Sequence, residues 1–237
     1  MRLMVIEPIG SDKFRKDTEK YFKKFKDPST EIEVRSLKEG PDSIETYLDV
    51  ALASPGIVDI VMKEEERFDA FLIDCFADPG LDASREVSEK LVLGVAEVSM
   101  HVAALIANKF SVITTERNSI PWTEIQATNY SVGDKLVGVT SVDLGVSELE
   151  FNESNYSKFL TQSREELSKG SEAIVLGCTR MNPFAEKLQE DLRIPVLEPS
   201  KTSLKVTEGL TKIGVKHSRF LKYAMTDSKL NQIGKYR

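Results

Sequence analysis

The sequence predicts an α/β fold with two pseudo-symmetric lobes, each a small parallel sheet flanked by helices. Short apolar runs alternate with helical patterns along nearly all of the 237 residues. The two cysteines of the chain, Cys75 and Cys178, end closely similar phrases, DAFLIDC and EAIVLGC. Because no low-complexity linker separates the halves, we expect the lobes to pack closely, with the active site between them.

The elements of the first half follow from hydrophobic periodicity and from turn residues. The run at residues 2–6 is apolar and ends at Glu7-Pro8, which predicts a buried strand. Aromatic residues recur at helical spacing in residues 12–25, which predicts an amphipathic helix. In chain order, the first half reads strand 2–6, helix 12–25, strand 31–37, helix 44–53, helix 59–67, strand 70–74 and helix 81–89.

The second half repeats this scheme, since apolar runs again alternate with helical segments. Such a strand–helix–strand order predicts parallel sheets. We assign residues 1–94 and 205–237 to the first lobe and residues 95–204 to the second. In chain order, the second half reads helix 95–109, strand 110–114, helix 120–130, strand 136–141, helix 156–169, strand 172–176, helix 183–191, strand 194–197 and a mostly helical, basic stretch from residue 200.

Composition and charge are those of an ordinary soluble protein, with 41% hydrophobic and 30% charged residues. A formal charge of -6 and a pI near 5.2 argue against general nucleic-acid binding. No stretch approaches the roughly 20 apolar residues of a membrane span, and the apolar run at the N-terminus is too short for the h-region of a signal peptide. We therefore expect a cytoplasmic protein with reduced thiols. His101 and His217 lie far apart, so we expect no metal site.

Each cysteine lies at or just after the carboxyl end of a predicted strand, where open α/β sheets bind ligands. Cys75 precedes a polar loop and a predicted helix, and helix N-terminal amides make a thiol more reactive. Cys178 lies in a similar turn between Gly177, which lets the backbone approach a ligand, and Thr179. Either cysteine alone also fits a small core residue. Two matched positions favour a functional pair.

Several other residues have both a functional and a structural interpretation. Thr114 and Thr115 end a predicted strand and could bind a carboxylate or a carbonyl, although threonines are common at strand ends. Ser43 fits the N-cap of the helix predicted to start there. The remaining candidates are interpreted as side chains of the core, of solvated loops or of helix faces: Asp78, Glu97, His101 and Trp122.

Six segments spread over nearly the whole chain carry a family resemblance. They are GPDSIE at 40–45, DCFADPGL at 74–81, RE at 85–86, GVAE at 94–97, FSVITT at 110–115 and VLGCT at 175–179. With these segments the chain resembles the Asp/Glu/hydantoin racemase family, most closely its hydantoin and allantoin racemase branch. The phrase that starts at Cys75 is quite specific, whereas the phrase around Cys178 is shared more widely among amino-acid racemases of this superfamily.

The resemblance implies a cofactor-independent racemase that transfers protons with two cysteines. Cys75 and Cys178 would face opposite sides of the substrate stereocentre, one as thiolate base and the other as thiol acid. The implied substrate is a small molecule with an acidic C–H next to a carbonyl. Preorganised donors would stabilise the negative charge that develops on this carbonyl. The candidate donors are the backbone amides of Phe76, Ala77 and Thr179 and the hydroxyls of Thr114 and Thr115.

The resemblance also places Pro8, Ser43, Ile44 and Gly177 at the substrate site and implies a homo-oligomer. One segment departs from the family pattern. Relatives carry Asn-Pro-Asn followed by Ser or Thr at the end of the first strand, where this chain reads EPIGS at 7–11. Both amide side chains are replaced, and a negative charge is added. Racemase chemistry is therefore better supported than any particular substrate. The expected substrate class is a 5-substituted hydantoin or a related ureide.

Other functions remain open on the sequence. Racemisation of aspartate or glutamate is the nearest alternative, and maleate-type cis–trans isomerisation uses the same superfamily scaffold with a nucleophilic cysteine. A ligand-binding or redox-sensing protein without catalytic activity would use Cys75 and Cys178 as a switchable disulfide. Rapid loss of both thiols as an internal bond under mild oxidation would favour the sensor.

Overall fold

The chain forms two compact units in the computed structural model, which describes residues 1–233. The first unit comprises Met1–Gly94 and the chain from Ser203 onward, and the second comprises Val95–Thr202. Each unit contains a four-stranded sheet whose paired strands run parallel. The predicted α/β class with parallel sheets is confirmed.

The sheet of the first unit has the strand order β2-β1-β3-β4. Its strands are β1 (Arg2–Glu7), β2 (Glu31–Ser36), β3 (Ala70–Ile73) and β4 (Leu91–Gly94). All residues of β3 are buried, as expected for a central parallel strand. β4 was not predicted from the sequence, because its four residues adjoin the apolar helical pattern that starts at residue 95.

Helices α1 (Arg15–Phe25), α2 (Tyr47–Glu64) and α3 (Leu81–Val87) belong to the first unit. The core of this unit joins β1, β3 and α2, since side chains from all three elements are buried in one cluster. They include Met4, Ile6, Ile57, Val61, Phe71 and Ile73.

Helix α2 is continuous where the sequence analysis expected two helices, at 44–53 and 59–67, and that prediction is wrong. Pro55 removes one N–H, but it lies on the exposed side of the helix, where water can hydrate the carbonyl that loses its partner. Ala53 and Ile57, on either side of Pro55, are both fully buried. Their burial keeps one helix where local propensity favours a break.

The sheet of the second unit has the strand order β6-β5-β7-β8. Its strands are β5 (Phe110–Thr114), β6 (Leu136–Ser141), β7 (Ala173–Leu176) and β8 (Val196–Leu197). When each strand is matched to its counterpart in the first sheet by position in the chain, the two orders are the same. The two units therefore repeat one sheet topology.

Four α-helices lie wholly within the second unit, and Phe159 and Phe184, from two of them, stack in its core with ring centroids 4.2 Å apart. Both rings are fully buried. The helices are α4 (Val95–Ile106), α5 (Ser119–Asn129), α6 (Glu153–Ser168) and α7 (Asn182–Leu192).

The C-terminal stretch contains α8 (Pro199–Lys212) and α9 (Asp227–Ile233). The expected helical stretch from residue 200 is correct for these two helices and wrong for residues 213–226, which form turns and irregular chain. No helix within residues 1–233 is both long and apolar enough to cross a lipid bilayer.

Residues 216–223, named here the C-terminal strap, lie against α3 and β4. The Val92 N–H donates to Nε2 of His217 (3.0 Å). The Arg219 guanidinium donates to three backbone carbonyls around the end of α3, at 2.7 to 2.9 Å. These carbonyls lack helical partners of their own, so the strap satisfies the C-terminal end of α3.

Candidate active site

Cys75 lies two residues beyond β3, at the carboxyl end of the first sheet. It is half-buried and is a thiol rather than part of a disulfide. The backbone turns immediately, because the Asp78 N–H donates to the Cys75 carbonyl (2.9 Å). Phe76 and Ala77, two of the expected amide donors, occupy this turn, with Phe76 buried and Ala77 half-buried. The thiol therefore occupies a strand-turn-helix connection of the kind that binds ligands in α/β sheets.

Asp78 is buried, with 6% of its surface exposed, so its interpretation as a solvated loop residue is wrong. Its φ is +45°, in the left-handed region that residues other than glycine adopt at a cost of about 1–3 kcal/mol. The carboxyl group fills space above Gly94, the last residue of β4. The burial of Asp78 was not predicted, because it depends on the absent side chain at Gly94, which is distant in the sequence.

Pro8 follows β1, the strand next to β3, and is buried. The Asp74 N–H donates to the Ile6 carbonyl (2.9 Å), which extends the pairing of these two strands up to the residue before Cys75. Pro8 and Cys75 therefore leave the sheet from adjacent strands at the same edge. That both residues contact substrate stays a prediction.

The segment that departs from the family pattern uses Glu7 inside the first unit. One carboxylate oxygen of Glu7 accepts from the Thr18 hydroxyl (2.5 Å), and the other accepts from the Ser36 hydroxyl (3.1 Å). Glu7 thereby joins α1 and β2 to the end of β1. Farther along, the Gly10 N–H donates to the Pro41 carbonyl (2.9 Å), which ties the loop after β1 to the loop after β2.

Ser43 does not cap α2, contrary to the sequence interpretation. The cap is Thr46, whose hydroxyl accepts the Asp49 N–H (3.2 Å) while the Asp49 carboxylate accepts the Thr46 N–H (2.9 Å). Ser43 lies in the preceding loop and is half-buried. Ile44 packs against the core of the first unit. A role of Ser43 at a ligand is therefore compatible with the local structure, since the helix does not need its hydroxyl.

Asp82, on α3, carries a negative charge that is fixed by the C-terminal strap. Burial raises the pKa of Asp82, but hydrogen bonds from Lys222 and Tyr223 and the charges of Lys222 and Arg85 lower it by more. Tyr223 Oη lies 2.9 Å from one carboxylate oxygen, and Lys222 Nζ lies 2.9 Å from the other. Asp82 is therefore a carboxylate at neutral pH.

Cys178 lies two residues beyond β7 in the second unit, and it too is a half-buried thiol. Gly177 is buried, and its N–H donates to the Ile113 carbonyl (2.7 Å). A Cβ at position 177 would lie 3.1 Å from Cα of Thr114. The bare backbone of Gly177 thus brings Cys178 next to the end of β5.

Thr114 is the last residue of β5, Thr115 follows it directly, and both are nearly fully buried. Their carbonyls accept the N–H groups of Val142 (3.1 Å) and Leu144 (3.2 Å), which fixes the backbone at this strand end. Thr179 starts a short 3-10 turn that leads into α7 and is half-buried. The structure therefore brings the second set of expected site residues to one sheet edge of the second unit.

The two thiols occupy equivalent positions in the two sheets. β3 and β7 are each third in their strand orders, and each cysteine follows the last strand residue by two positions. Each cysteine carbonyl accepts the N–H three residues later, from Asp78 (2.9 Å) or from Met181 (3.0 Å). The similar phrases of the sequence therefore form the same local structure twice.

His101 is exposed, with Nδ1 at 2.8 Å from the Glu97 carbonyl oxygen, and Trp122 is half-buried on α5. Within residues 1–233, no group of three or more His, Cys, Asp or Glu side chains is arranged to hold a metal ion.

Comparison with protein families and sequences identifies close relatives of the chain. The profile of the family described as Asp/Glu/hydantoin racemase matches residues 3–207. The hydantoin racemase of Pseudomonas sp. (strain NS671) is 34% identical over 232 residues, which are 97% of this chain and 93% of that protein.

Comparison with solved structures gives the same result. The allantoin racemase from Klebsiella pneumoniae matches with a TM-score of 0.88 and 31% identity, covering 96% of this chain and 94% of that chain. The allantoin racemase from Pseudomonas fluorescens matches with a TM-score of 0.90 and 22% identity, covering 96% and 97%, and supports the fold.

Proposed function

This chain belongs to the Asp/Glu/hydantoin racemase family and is an isomerase of the racemase class, and from this premise we propose that it racemises a 5-substituted hydantoin or a related ureide such as allantoin. Relatives named for both substrates support this class. Such substrates suit the chemistry, because their stereocentre carries an acidic C–H next to a ring carbonyl.

The proposed reaction uses Cys75 and Cys178 as the two acid–base groups. One thiolate removes the proton from one face of the stereocentre and becomes a thiol, while the other thiol gives a proton to the opposite face and becomes a thiolate. Charge is conserved, and the protonation states of the two cysteines are exchanged after each turnover. The opposite enantiomer then reacts with the roles reversed.

The intermediate carries its charge on the carbonyl oxygen next to the stereocentre, so the site must supply hydrogen-bond donors there. We assign this role to the backbone amides of Phe76, Ala77 and Thr179 and to the hydroxyls of Thr114 and Thr115. Pro8, Ser43, Ile44 and Gly177 complete the proposed substrate contacts. The reaction needs no metal or cofactor, so activity should survive dialysis against EDTA.

The observation that carries this proposal is the equivalence of Cys75 and Cys178. Each thiol follows the third strand of its sheet by two residues, in a turn closed by the same type of hydrogen bond. A single base is poorly placed to remove a proton from one face and return one to the other. Two matched thiols, one in each unit, are what a two-base racemase requires.

Racemisation of an enantiopure hydantoin in D2O tests the mechanism. The product should carry solvent deuterium from the start, because the donating thiol has exchanged with solvent, whereas the remaining substrate should keep its protium. Deuterium entering substrate and product together would contradict two separate bases. An enzyme-free reaction corrects for spontaneous exchange.

Alanine replacements test the two thiols separately. Cys75→Ala or Cys178→Ala should lower racemisation by at least about 10²-fold, as expected for loss of a general acid or base. Each variant should still exchange the proton of one enantiomer, and the preferred enantiomer should differ between the two variants. Full racemisation by either variant would overturn the two-thiol mechanism.

A substrate panel distinguishes the proposed class from its nearest alternatives. The panel contains enantiopure 5-substituted hydantoins, allantoin, aspartate and glutamate, with maleate to detect cis–trans isomerisation. We expect turnover of a hydantoin or allantoin. Turnover of aspartate, glutamate or maleate alone would replace the proposed substrate class while leaving the fold and family unchanged.

We also propose that the enzyme acts in the cytoplasm, where thiols stay reduced, and that it assembles as a homo-oligomer. Static light scattering measures the assembly directly. A mass equal to that of a single 26.5 kDa chain would contradict the oligomer. Fractionation of source cells tests the compartment.

A further inference from the structure

The turn after Cys75 contains an aspartate that the proposed chemistry does not use. Asp78 is buried and has a φ of +45°, a left-handed conformation that few residues other than glycine, asparagine and aspartate adopt. Its N–H donates to the Cys75 carbonyl (2.9 Å), and its own carbonyl accepts the N–H of Leu81 (3.3 Å), where α3 begins. Asp78 therefore ties the backbone of Cys75 to the following helix.

The Asp78 side chain is seated on a glycine. Its three carboxyl atoms occupy the space in which a Cβ at position 94 would lie, each less than 3.0 Å from that Cβ. Gly94 pairs with Ile73 of β3. The carboxyl group therefore rests on the strand adjacent to the one that leads to Cys75, and a side chain at position 94 would displace it.

The other side of the turn packs against α2. Gly80 also has a left-handed φ, of +66°, and a Cβ there would lie 3.2 to 3.3 Å from atoms of Ser54. The turn is thus held between α2 and the end of β4. Strained backbone that is over-determined by its surroundings in this way points to function.

We propose that Asp78 is a positioning residue, which fixes the direction of the Cys75 thiol by seating its carboxyl group on Gly94. The proposal rests on the proposed role of Cys75 as a proton donor and acceptor. Proton transfer requires the sulfur to lie within reach of the C–H, so a shift of about 1 Å lowers the rate strongly. Asp78 acts through the turn and does not itself contact substrate.

Three variants separate this role from general stability. Asp78→Gly removes the carboxyl group and adopts the left-handed conformation without strain. Asp78→Asn keeps the shape of the side chain. Gly94→Ala displaces the carboxyl group without changing Asp78. Ser131→Gly is the matched control, since Ser131 is an exposed residue with a φ of +60° that lies outside the turns after Cys75 and Cys178.

Two measurements are made on each variant. Racemisation of an enantiopure hydantoin gives kcat and KM. Alkylation by iodoacetamide, followed by peptide mass spectrometry at pH values where both thiols are ionised, gives the rate at Cys75 relative to that at Cys178. This ratio compares Cys75 with Cys178 within the same protein. Because the two thiols lie in different units, urea unfolding of each variant is measured as well, and the ratio is read well below the unfolding transition.

Asp78→Gly and Gly94→Ala should lower kcat by about 10²-fold with a smaller change in KM, because the thiol is misplaced while binding groups remain. The Cys75 to Cys178 alkylation ratio should rise by at least about threefold, since a released turn exposes the sulfur. Asp78→Asn should retain at least about tenfold more activity than Asp78→Gly, and Ser131→Gly should match the wild type.

An unchanged alkylation ratio in Asp78→Gly, or a kcat equal to that of the wild type, would overturn the positioning role. Racemase activity in Asp78→Asn that is no higher than in Asp78→Gly would also overturn the positioning role. If no hydantoin is turned over by the wild type, the proposed function fails, and the alkylation ratio still decides whether Asp78 holds Cys75 in place.

Discussion

Gly177 shows how a single residue shapes the strand end that carries Cys178. A Cβ at position 177 would lie 2.9 Å from the Ile113 carbonyl oxygen and 3.1 Å from Cα of Thr114. These are backbone atoms of the central strand β5, so they cannot move without disturbing its pairing with β7. The absence of a side chain at position 177 is therefore what allows the chain leading to Cys178 to lie against Thr114.

Gly177→Ala should destabilise the protein by about 1–3 kcal/mol through overpacking, and should also lower racemase activity. Gly209→Ala is the matched control, because Gly209 lies in α8 with nothing within 4 Å of an added Cβ. That control should be stabilised by up to about 1 kcal/mol, since alanine favours the helix. Urea unfolding of both variants checks the pair. A Gly177→Ala protein as stable as the wild type would contradict the tight approach.

The sequence predicted that the two thiols follow strand ends, but it did not predict the burial and hydrogen bonds of individual side chains around them. Cys75 and Cys178 were identifiable because apolar strands and turn residues surround them. The burial of Asp78 depends on space above Gly94, which no local pattern reveals. The acid at Glu7 suggested a charge facing a ligand, whereas its carboxylate accepts hydrogen bonds from two hydroxyls within the first unit.

At the level of secondary structure, the sequence predicted elements where periodicity and turn residues agreed. Two helices were predicted in place of α2, because Pro55 and Gly56 resemble a helix end. In the structure the helix continues, since burial of the flanking residues against distant parts of the chain outweighs that local preference. The sequence did not predict the C-terminal strap, whose contacts join residues 125 and 138 positions apart. Polar contacts over such separations have no periodic signature.

The strap makes stability depend on pH through Asp82, whose pKa is lowered in the folded protein. Such a group stabilises the fold above its unfolded pKa of about 3.9, and this contribution is lost as the pH falls through the lower folded value. The Asp82 side chain is 58% exposed, so solvent screening limits the contribution to about 1 kcal/mol at most.

Asp82→Asn should therefore lower the Tm at pH 7 by no more than about 4 °C, and the difference from the wild type should vanish in strong acid. Glu66→Gln, which removes an exposed carboxylate outside the strap, should shift the Tm less at pH 7. Thermal unfolding followed by circular dichroism at several pH values measures both. A difference that persists unchanged below the folded pKa of Asp82 would exclude the charge as its cause.

At the scale of the whole molecule, the two units differ in how the chain builds them. The second unit is one continuous segment, Val95–Thr202, with its own aromatic core. The first unit is assembled from both ends of the chain, and its C-terminal part contributes Lys205, which contacts Asp27 (2.5 Å) and Glu208 (2.8 Å). The sequence indicated two lobes from the repeated phrase and the alternation of elements.

A fragment of residues 95–202 should fold alone and unfold cooperatively, with an enthalpy of about 75 kcal/mol near 60 °C for its length. A fragment of residues 1–94 should show no cooperative transition, because it lacks α8 and the strap. Calorimetry of the two fragments checks this. Cooperative unfolding of residues 1–94 alone would show that the C-terminal part is dispensable for the fold of the first unit.

The hydrogen bonds of Val92 have a consequence for solubility. β4 is the last strand in the order of its sheet, and an edge strand whose backbone groups are left uncovered can recruit strands from other molecules. The Val92 N–H donates to His217 (3.0 Å), and its carbonyl accepts from Nε of Arg85 (2.9 Å). Side chains thus occupy the groups that an added strand would need. We therefore expect that removal of residues 216–223 would free the Val92 N–H and make intermolecular β-pairing at β4 easier.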